Sequence, residues 1–449
     1  MRILCGLLLV ATITVAASAA PSTPRTSIAT LGPGGRPAND HSGTGSLSAD
    51  GRFVAFHSLA TNLTRTGRAG LFILDRRLGR LERIPRARGG WGIQVSASGR
   101  YVVFCTAQSL DKRDKPREYS PRAEHDFDTY VYDRRTRRIM WANPSWRGRN
   151  PDDWSCVIIG STDSADISAD GSRVVFPSAA SNLVRGDTNE SWDIFVRDLR
   201  RRRTIRASIG PRGQQARGSS STASISANGR FVAFCSSALN LGATQGALFV
   251  RDLERRKTTL AATTRDGKPL SRAACINRVP ISANGRYVVF STLSPEVVGH
   301  LPNAVRPGPP PFPVAQLFVK DRKTGKLDLI TLGLDGKGAD DGVYAPTISA
   351  DGRFLTFVSE ASNLVRGDRY DSLDSFVFDR VRRTTKRLNV LPDGGQSPWL
   401  GGTGQPQISD DGRYAVFSSG DPYLVPGVLP EWANPDDAIS HIFVRGPLH

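Results

Sequence analysis

The stretch Ile348-Ser-Ala-Asp-Gly-Arg-Phe-Leu-Thr-Phe-Val-Ser-Glu-Ala-Ser-Asn-Leu364, followed by a polar loop and Ser375-Phe-Val-Phe-Asp379, decides the fold of this chain. Asp351-Gly352 is a tight-turn dipeptide that joins an apolar run to the alternating run Phe354 to Phe357, which predicts two antiparallel strands. Phe376 to Phe378 predicts a third strand, and the residues after the next turn supply a fourth. The unit is therefore predicted to be a four-stranded meander.

The same turn, Ser-(Ala/Asp/Ser)-(Asp/Asn/Ser)-Gly-(Arg/Ser) followed by an aromatic or branched run, recurs along the chain. Its glycines are Gly51, Gly99, Gly171, Gly229, Gly285, Gly352 and Gly412. Seven such units cannot bury their faces alone, and radial stacking buries face on face. The sequence thus predicts an all-β protein, a seven-bladed β-propeller of four-stranded antiparallel blades.

The two ends of the chain indicate how the ring closes. The last unit has no room for a fourth strand before His449, whereas the segment 25–35 matches 203–213, which holds the outer strand of the third unit. An N-terminal outer strand is therefore predicted to complete the last blade. Closing the ring in this way protects sheet edges that would otherwise be exposed.

Residues 1–19 are typical of a secretory signal peptide, with Arg2, an apolar run and the small-residue site Ala17-Ser18-Ala19. Residues 20–449 are then a single propeller domain, expected to be exported to the periplasm, the cell envelope or the medium. No later segment is apolar enough to span a membrane. We expect a monomer. The formal net charge of +18 favours anionic polymers or surfaces as partners.

The Ser-x-Asp-Gly-Arg turn and the short aliphatic strand that ends in Asp resemble the repeats of the TolB-like propellers with WD40-like PD40 repeats. The resemblance covers residues 25–449, and it implies the propeller fold. It implies little about function, because such propellers include translocation-complex subunits, cell-surface binding proteins, lyases and the lids of peptidases.

An arginine at the start of the second strand is predicted to pair with the aspartate that ends the third strand. The predicted pairs, in six blades, are Arg52 with Asp75, Arg100 with Asp133, Arg173 with Asp198, Arg230 with Asp252, Arg286 with Asp321 and Arg353 with Asp379. Blade seven has Gly446 in place of the aspartate. These residues would lie on one face of the ring, here named the bottom face.

Four cysteines remain after the signal peptide, an even number that favours two disulfides in an exported chain. Cys105 and Cys235 lie at the top ends of second strands, and Cys156 and Cys275 come just before the first strand of the following blade. We therefore predict the pairs Cys105–Cys156 and Cys235–Cys275 as links between blades. Free buried thiols are the alternative.

Basic clusters occupy the turns between third and fourth strands. They are Arg76, Arg77 and Arg80; Arg134, Arg135, Arg137 and Arg138; Arg200 to Arg203; Arg255, Arg256 and Lys257; and Arg382, Arg383 and Lys386. They predict either an anionic polymer on the bottom face or a ring of solvated turns. Nucleic acid is not the expected partner, because no helix-turn-helix, RNP-type or zinc-finger pattern occurs.

Two acidic loops offer candidate metal ligands. Asp187, Asn189 and Asp193 have a spacing compatible with Ca²⁺, and Asp368, Asp371 and Asp374 form a looser copy in blade six. The alternative is a pair of solvated or capping Asx turns. No cofactor is required by this interpretation, and Ca²⁺ is the candidate metal.

Tryptophans in the top loops are candidate ligand-binding residues, above all Trp192, Trp399 and Trp432. They predict an aromatic rim for sugar rings or peptide side chains, unless they cover the core between blades.

The sequence holds few candidates for catalysis, since it has neither a His-Glu-x-x-His nor a Gly-x-Ser-x-Gly arrangement. The main interpretation is an exported, non-catalytic binding scaffold for a protein or a cell-envelope glycan. The alternative is a metal-dependent, lyase-like carbohydrate-active enzyme, for which His57, His125, His300 and His441 are the available histidine ligands. Convergence of three or more of these histidines or loop acids within metal-ligand reach at one channel mouth would favour the enzyme, and their dispersal would favour binding.

Overall fold

The computed structural model is a closed ring of seven four-stranded antiparallel sheets. It describes residues 24–114, 127–156, 165–242, 246–271, 273–275, 278–298, 301, 305–306, 312–370, 372–428 and 438–449. The predicted signal peptide, 1–19, lies outside these residues. No helix in the described ranges is long and apolar enough to cross a membrane.

Each blade has an inner strand, two middle strands and an outer strand. The inner strands are Ser42–Leu47, Trp91–Val95, Asp166–Ile167, Ser220–Ile225, Ala273–Ala274, Val343–Ile348 and Thr403–Ile408. The second strands are Phe53–Ser58, Tyr101–Thr106, Arg173–Ser178, Phe231–Ser236, Tyr287–Thr292, Phe354–Ser359 and Ala415–Ser419. The third strands are Gly70–Asp75, Asp128–Asp133, Asp193–Asp198, Ala247–Asp252, Gln316–Asp321, Asp374–Asp379 and His441–Gly446. The outer strands are Arg80–Arg83, Arg138–Trp141, Arg203–Arg206, Lys257–Leu260, Leu327–Leu329, Thr384–Arg387 and, for blade seven, Arg25–Ile28.

Short elements decorate the loops of the ring. They are the 3-10 turns Pro33–Gly35 and Leu239–Leu241, the helix Pro295–Val298, and a ribbon of Val305–Arg306 with Phe312–Pro313.

The N-terminal strand closes the ring, as the sequence predicts. Arg25–Ile28 runs antiparallel to His441–Gly446, with Arg25 opposite Gly446 and Ile28 opposite Phe443. A backbone hydrogen bond from Asp411 N to Ala49 O, 3.0 Å long, joins blade seven to blade one a second time.

The core lies between the blades rather than within any one of them. Seven apolar clusters fill the seven joints of the ring, and each blade contributes to two of them. The turn glycine of each repeat has a structural role in these joints. Gly99, at φ 72°, sits against the ring of Phe53, so that a Cβ there would lie 2.0 Å from the ring, and Gly171 meets Tyr101 in the same way. Only glycine fits this turn, because it tolerates both the positive φ and the close approach.

Five of the six predicted cross-strand ion pairs form. They are Arg52–Asp75, Arg100–Asp133, Arg230–Asp252, Arg286–Asp321 and Arg353–Asp379, with Nη2 to Oδ2 distances of 2.6–2.8 Å. In each pair Nε also donates to Oδ1, so the contact is bidentate. The face assignment made from the sequence is therefore correct.

The pair predicted in blade three is wrong. Its turn glycine is followed by Ser172, so Arg173 comes one place later and its side chain points to the opposite face of the strand. Arg173 Nη1 donates to the carbonyl of Gly229, 2.6 Å away, in the next blade. Asp198 pairs instead with the exposed Arg201 at 3.1 Å. The arginine has taken the packing position that an aromatic residue holds in neighbouring blades.

Some residues of the basic clusters are structural. Arg76 and Arg134 each donate to the carbonyl of the turn glycine in their own blade, over 2.7 and 2.9 Å. Their guanidinium carbons lie 4.4 Å from the ring centroid of Tyr414 and 4.2 Å from that of Phe53, in the preceding blade. These two arginines therefore join blades through cation–π contacts and are not simply solvated.

Both predicted disulfides are present. Cys105 is bonded to Cys156, and Cys235 to Cys275. The first links blade two to the entry of blade three, and the second links blade four to the entry of blade five. The two disulfides fit a protein that is exported to an oxidising compartment.

Candidate functional site

The central channel is lined by equivalent residues from all seven blades. One layer of the lining is a ring formed by the residue after each turn serine, namely Ala49, Ala97, Ala169, Ala227, Ala283, Ala350 and Asp410. Above it lies an apolar ring of Leu47, Val95, Ile167, Ile225, Ile281, Ile348 and Ile408. A mostly polar layer follows, with Gln94, Asp166, Ser224, Thr347 and Gln407 and, in blade five, Pro280. Together these residues surround a cavity of about 140 Å³.

Backbone hydrogen bonds hold this seven-residue ring in place. They run from Ala49 N to Ala97 O, Ala169 N to Ala227 O, Asn228 N to Ala283 O, Ala283 N to Ala350 O and Ala350 N to Asp410 O, and they measure 2.9–3.3 Å. The side chains of the ring therefore have fixed positions around the channel axis. A carboxylate introduced at one of these positions is presented to the cavity on a rigid frame.

Asp410 is the exception in the ring, since the other six blades have alanine at this position. Its side chain is half-buried, and it has no hydrogen-bond or ion-pair partner in the described part of the chain. Burial raises the pKa of Asp410, and the negative charges of Asp166 and Asp411 add to the effect. A partly buried, charged carboxylate without a partner destabilises the folded protein, and a bound cation would offset this cost.

Asp166 and Arg278 share the channel with Asp410. Asp166 Oδ2 accepts a hydrogen bond of 3.0 Å from Ile225 N in the next blade, and Oδ1 accepts one of 2.8 Å from Ile167 N. Burial raises the pKa of Asp166, whereas the charge of Arg278 acts in the opposite direction. The channel thus presents two carboxylates and one guanidinium group on three different blades.

The acidic loop of blade three holds an arginine. Arg206 Nη1 lies 2.8 Å from Asp187 Oδ1 and 3.2 Å from Asp193 Oδ2, and all three side chains are at most one-tenth exposed. Asn189 donates to Asp193 Oδ2 over 3.0 Å and to the carbonyl of Ala216 over 2.9 Å. Burial raises the pKa of Asp187 to about 6 despite the arginine.

The loop of blade six repeats this arrangement. Arg387 Nη2 lies 2.7 Å from Asp368 Oδ2, and its Nε lies 2.9 Å from Asp374 Oδ2. Burial raises the pKa of Asp374 to about 6. Asp371, the third predicted ligand, lies outside the described residues. In both loops the carboxylates face a buried guanidinium group, so a metal ion would have to displace an arginine from each.

His441 occupies a repeated structural position. It is the first residue of the third strand in blade seven, and its Nδ1 lies 3.0 Å from Thr30 Oγ1. The equivalent residue Asp374 in blade six accepts from Asn389 Nδ2 at 2.5 Å, and Asp193 in blade three accepts from Ser208 Oγ. Burial lowers the pKa of His441 to about 4, so this ring is neutral at ordinary pH. A polar side chain at the first residue of the third strand therefore makes a structural hydrogen bond in blades three, six and seven, and His441 has this structural role.

His57, the other predicted histidine in the described ranges, does not form a metal cluster with it. His57 is half-buried beside Trp91, with their ring centroids 5.9 Å apart. His125 and His300 lie outside the described residues. Within the described ranges, no three His, Cys, Asp or Glu side chains come together in a group that could hold a metal ion.

The two predicted tryptophans in the described ranges, Trp192 and Trp399, are not fully exposed. Trp399 is 9% exposed, and a Cβ added to Gly420 would lie 3.2 Å from its ring. Trp192 is half-buried at the start of the third strand of blade three. Trp432 lies outside the described residues. Trp399 therefore fits the alternative reading, in which these residues cover the core.

Comparison with known proteins finds similar structures but no similar sequence family. No protein-family model matches it, and no curated protein matches it either. Among solved structures it is similar to an oligogalacturonate lyase from Vibrio parahaemolyticus, with 9% identity over 95% of this chain and 97% of that chain and a TM-score of 0.52. It is also similar to an oligogalacturonate lyase in complex with manganese, with 10% identity over 95% and 98% of the two chains and a TM-score of 0.51.

A TolB protein from Acinetobacter baumannii is similar over 90% of this chain and 79% of its own, with 11% identity and a TM-score of 0.39. The protein is a seven-bladed propeller of the type that the TolB-like resemblance predicts. At these identities the likeness to the two lyases shows the fold alone.

Two expectations from the sequence are corrected. The interpretation as a non-catalytic binding scaffold is wrong, because two similar structures with TM-scores above 0.5 are lyases, which favours the alternative of an enzyme. The expectation that no cofactor is required, with Ca²⁺ as the candidate metal, is also wrong, because one of those lyases is a manganese complex.

Sequence reasoning missed Asp410, although a signal was present. Six repeats have Ser-Ala before the last two turn residues, and the seventh has Ser409-Asp410. Aspartate is so common in such turns that the extra one looks like a second turn residue. Only the closed ring shows that this position points into the channel.

Proposed function

We propose that this protein is a metal-dependent carbohydrate-active enzyme of lyase type, with its active site in the central channel. The observation that carries the proposal is Asp410, a partly buried carboxylate without a partner in the described chain, which lines the same cavity as Asp166 and Arg278. Titratable groups with shifted pKa values that converge in a cavity are typical of active sites. The likeness to the two lyases supports the choice of reaction.

An acidic carbohydrate is the substrate class that fits best. The chain has a formal net charge of +18, which attracts a polyanion and raises its local concentration. Arg278 in the channel is suited to bind a sugar carboxylate, because a guanidinium group matches a carboxylate in a bidentate geometry. The cavity of about 140 Å³ has room for a carboxylate and an ion with a few waters. The rest of the sugar chain would then lie across the channel mouth.

The donor atoms of the channel fit a metal that prefers oxygen ligands. Asp410, Gln94 and Gln407 bring carboxylate and amide oxygens to the cavity, and these are the ligand types that suit Mn²⁺ and Mg²⁺. Asp410 would be the anionic ligand, because its carboxylate has no competing partner in the described chain. When bound, the metal would neutralise the substrate carboxylate and so acidify the neighbouring C–H bond.

Asp166 is suited to accept the proton. Its two oxygens are oriented by the amides of Ile225 and Ile167, and burial raises its pKa, which makes it a stronger base than an exposed aspartate. In the elimination, the proton on the carbon next to the sugar carboxylate moves to an Asp166 oxygen. The electron pair left on that carbon forms the C=C bond, and the glycosidic oxygen leaves and takes a proton from water.

The test is an elimination assay on galacturonate and other uronate oligomers with added Mn²⁺, followed by the ultraviolet absorbance of the unsaturated product. We expect activity that chelation removes and Mn²⁺ restores. Asp410→Ala should lose at least 100-fold in activity while folding normally, because it restores the residue of the other blades. Glu360→Ala, on the exposed end of a second strand, is the matched control. The proposal fails if no uronate oligomer is cleaved, or if Asp410→Ala is as active as the native protein.

We also propose that the protein acts outside the cytoplasm, after removal of residues 1–19 as a signal peptide. The two disulfides support export. N-terminal sequencing of the protein recovered from the periplasm or the medium tests this, and an unprocessed N-terminus in the cytoplasm would contradict it.

A further inference from the structure

A large groove runs along the outer strand of blade three, away from the central channel. Its volume is about 1020 Å³, and its apolar lining includes Leu183, Val184 and Leu253. Its arginines are Arg113, Arg173, Arg185, Arg197, Arg201, Arg202, Arg203, Arg206, Arg251 and Arg256, and Asp198 is the only acidic residue among the described residues that line it. The groove is therefore strongly cationic, with an apolar component.

Most of this charge is not neutralised by the protein. Asp198 pairs with Arg201, Asp111 with Arg113, and the acidic loop of blade three with Arg206. The other arginines of the groove have no carboxylate partner in the described chain: Arg173, Arg185, Arg197, Arg202, Arg203, Arg251 and Arg256. Seven such groups in one groove repel one another, and a bound polyanion would relieve that repulsion.

Two of these arginines are buried in the groove wall. Arg251 is 9% exposed, and its side chain donates to Thr258 Oγ1 over 3.0 Å. Arg197 is half-buried and donates to Thr204 Oγ1, also over 3.0 Å. Burial lowers the pKa of both, and a neighbouring arginine lowers each further, namely Arg256 and Arg113 respectively. Each guanidinium group is thus desolvated, lies near another positive charge and donates to a neutral hydroxyl group. A bound anion would give it a charged hydrogen-bond partner.

Trp146 stands at one end of the groove with 43% of its surface exposed. The guanidinium carbons of Arg147 and Arg185 lie 4.5 and 4.4 Å from its ring centroid. Because the ring is already covered by two cations, it does not offer the bare stacking surface that single-stranded nucleic acid uses. Cations beside aliphatic side chains match instead an acidic sugar chain, which has carboxylates and apolar C–H faces.

We propose that this groove is a second binding site for an acidic polysaccharide, separate from the channel, which holds a polyuronate chain through its carboxylates. The choice of uronate as the anion rests on the proposed function, but binding here needs no catalysis. The groove lies on the outer rim of blade three, so a chain held there can extend beyond a single active site. Its role would be to retain a long substrate between cleavage events.

The test is the affinity of the native protein for a fluorescently labelled galacturonate oligomer. Arg202 and Arg256 are the arginines to change, because both are exposed and sit at equivalent turn positions with φ of 53° and 54°. We expect Arg202→Gln with Arg256→Gln to weaken binding at least tenfold. The matched control changes Arg137 and Arg383 to Gln, since they hold the same turn position, with φ of 56° and 54°, in blades two and six. This control should bind like the native protein.

The outcomes separate the two proposals. Loss of binding in the groove variant, with cleavage of short oligomers unchanged, supports both. Loss of binding in a protein that cleaves nothing supports the groove and overturns the proposed function. Equal binding by the groove variant and the control overturns the groove, as does tighter binding of polyphosphate than of a uronate oligomer of equal charge. Binding of a neutral glucose oligomer at the same affinity would also overturn it.

Discussion

Arg100 and Asp133 form a bidentate ion pair across the middle strands of blade two, with Nε 2.9 Å from Oδ1 and Nη2 2.8 Å from Oδ2. The hydrogen bond from Arg100 lowers the pKa of Asp133 to about 2. Asp133 Oδ1 also accepts a hydrogen bond from Arg135 N, so one carboxylate fixes both the strand pair and the next turn. Four other blades contain the same ion pair, and the repeat therefore distributes this contact around the ring.

Replacing Asp133 by Asn should lower the free energy of unfolding by about 1 kcal/mol at pH 7, a modest value because the Arg100 side chain is 36% exposed. The folded pKa is below the unfolded value, so the contribution is present above about pH 4 and is lost as the pH falls towards 2. Chemical unfolding at pH 7 and pH 2.5 measures it. Asp198→Asn in blade three, which lacks the cross-strand arginine, should cost less. Equal costs at the two sites would contradict the assignment.

Blade three offers the opposite experiment. Ser172→Arg places an arginine directly after the turn glycine, where five other blades have the ion-pairing residue, and next to Arg173, the residue opposite Asp198. We expect a gain of a few tenths of a kcal/mol up to about 1 kcal/mol, because the pair is near the surface. The gain should vanish in Asp198→Asn. A gain that persists without the carboxylate would show that the arginine acts by packing alone.

The fold could be predicted from the sequence because the pattern of one blade recurs seven times. Turn glycine, second-strand aromatic and third-strand aspartate each have a local reason, and the match between 25–35 and 203–213 identifies the closing strand. Where one repeat departs from the pattern, as at Ser172-Arg173, the period-2 alternation of a strand predicts the change in direction. The predicted Arg173–Asp198 pair is wrong because Arg173 stands one residue later than the pairing arginine of the other blades.

The candidate site was harder to predict, because its residues come from three different blades and are not part of the repeated pattern. Asp166, Arg278 and Asp410 are 112 or more residues apart in sequence and meet only through the shared axis. The arginines beside the acidic loops were hard to predict for a related reason. Arg206 and Arg387 come from the outer strands, so the local spacing of the carboxylates gives no sign that a guanidinium group lies among them.

Breaking the second disulfide should destabilise the junction of blades four and five. Cys235 and Cys275 are 40 residues apart, and closing a loop of that length in the unfolded chain corresponds to about 4 kcal/mol at most. Cys235→Ser with Cys275→Ser should therefore lower the midpoint of chemical unfolding. Reducing agent should still affect this variant, through the remaining disulfide. Recovery of a Cys105–Cys275 peptide on non-reducing mapping would contradict the pairing.

Removing Arg206 should be among the most damaging changes in blade three. Arg206→Met leaves Asp187 and Asp193 buried without their cation, and losing one partner of such a group costs about 3–5 kcal/mol. The loss should be smaller at pH 5 than at pH 8, because the carboxylates, whose pKa values are already raised, can then bind protons. Arg203→Met, exposed on the same outer strand, is the control and should cost well below 1 kcal/mol. Equal effects at the two sites would refute the buried cluster.

Asp410 should reduce the stability of the protein that contains it. Its pKa is raised by burial, so the folded state holds its charged form less well than the unfolded chain does, and stability is lost as the pH rises through the folded pKa. Asp410→Ala should therefore be more stable than the native protein at pH 7 by about 1 kcal/mol, and the difference should close near pH 4. Unfolding curves at the two pH values measure both effects.

Asp411 provides the neighbouring control. Its Oδ1 accepts hydrogen bonds from Ser409 Oγ and Arg413 N, over 2.6 and 2.9 Å, so Asp411→Ala should cost about 1 kcal/mol. Adjacent aspartates in one turn are thus expected to change stability in opposite directions. A protein keeps a destabilising carboxylate when activity depends on it, so the stability gained in Asp410→Ala should accompany the loss of cleavage. If Asp410→Ala is instead less stable than the native protein, Asp410 is a structural turn residue. The proposal of an active site in the channel is then contradicted.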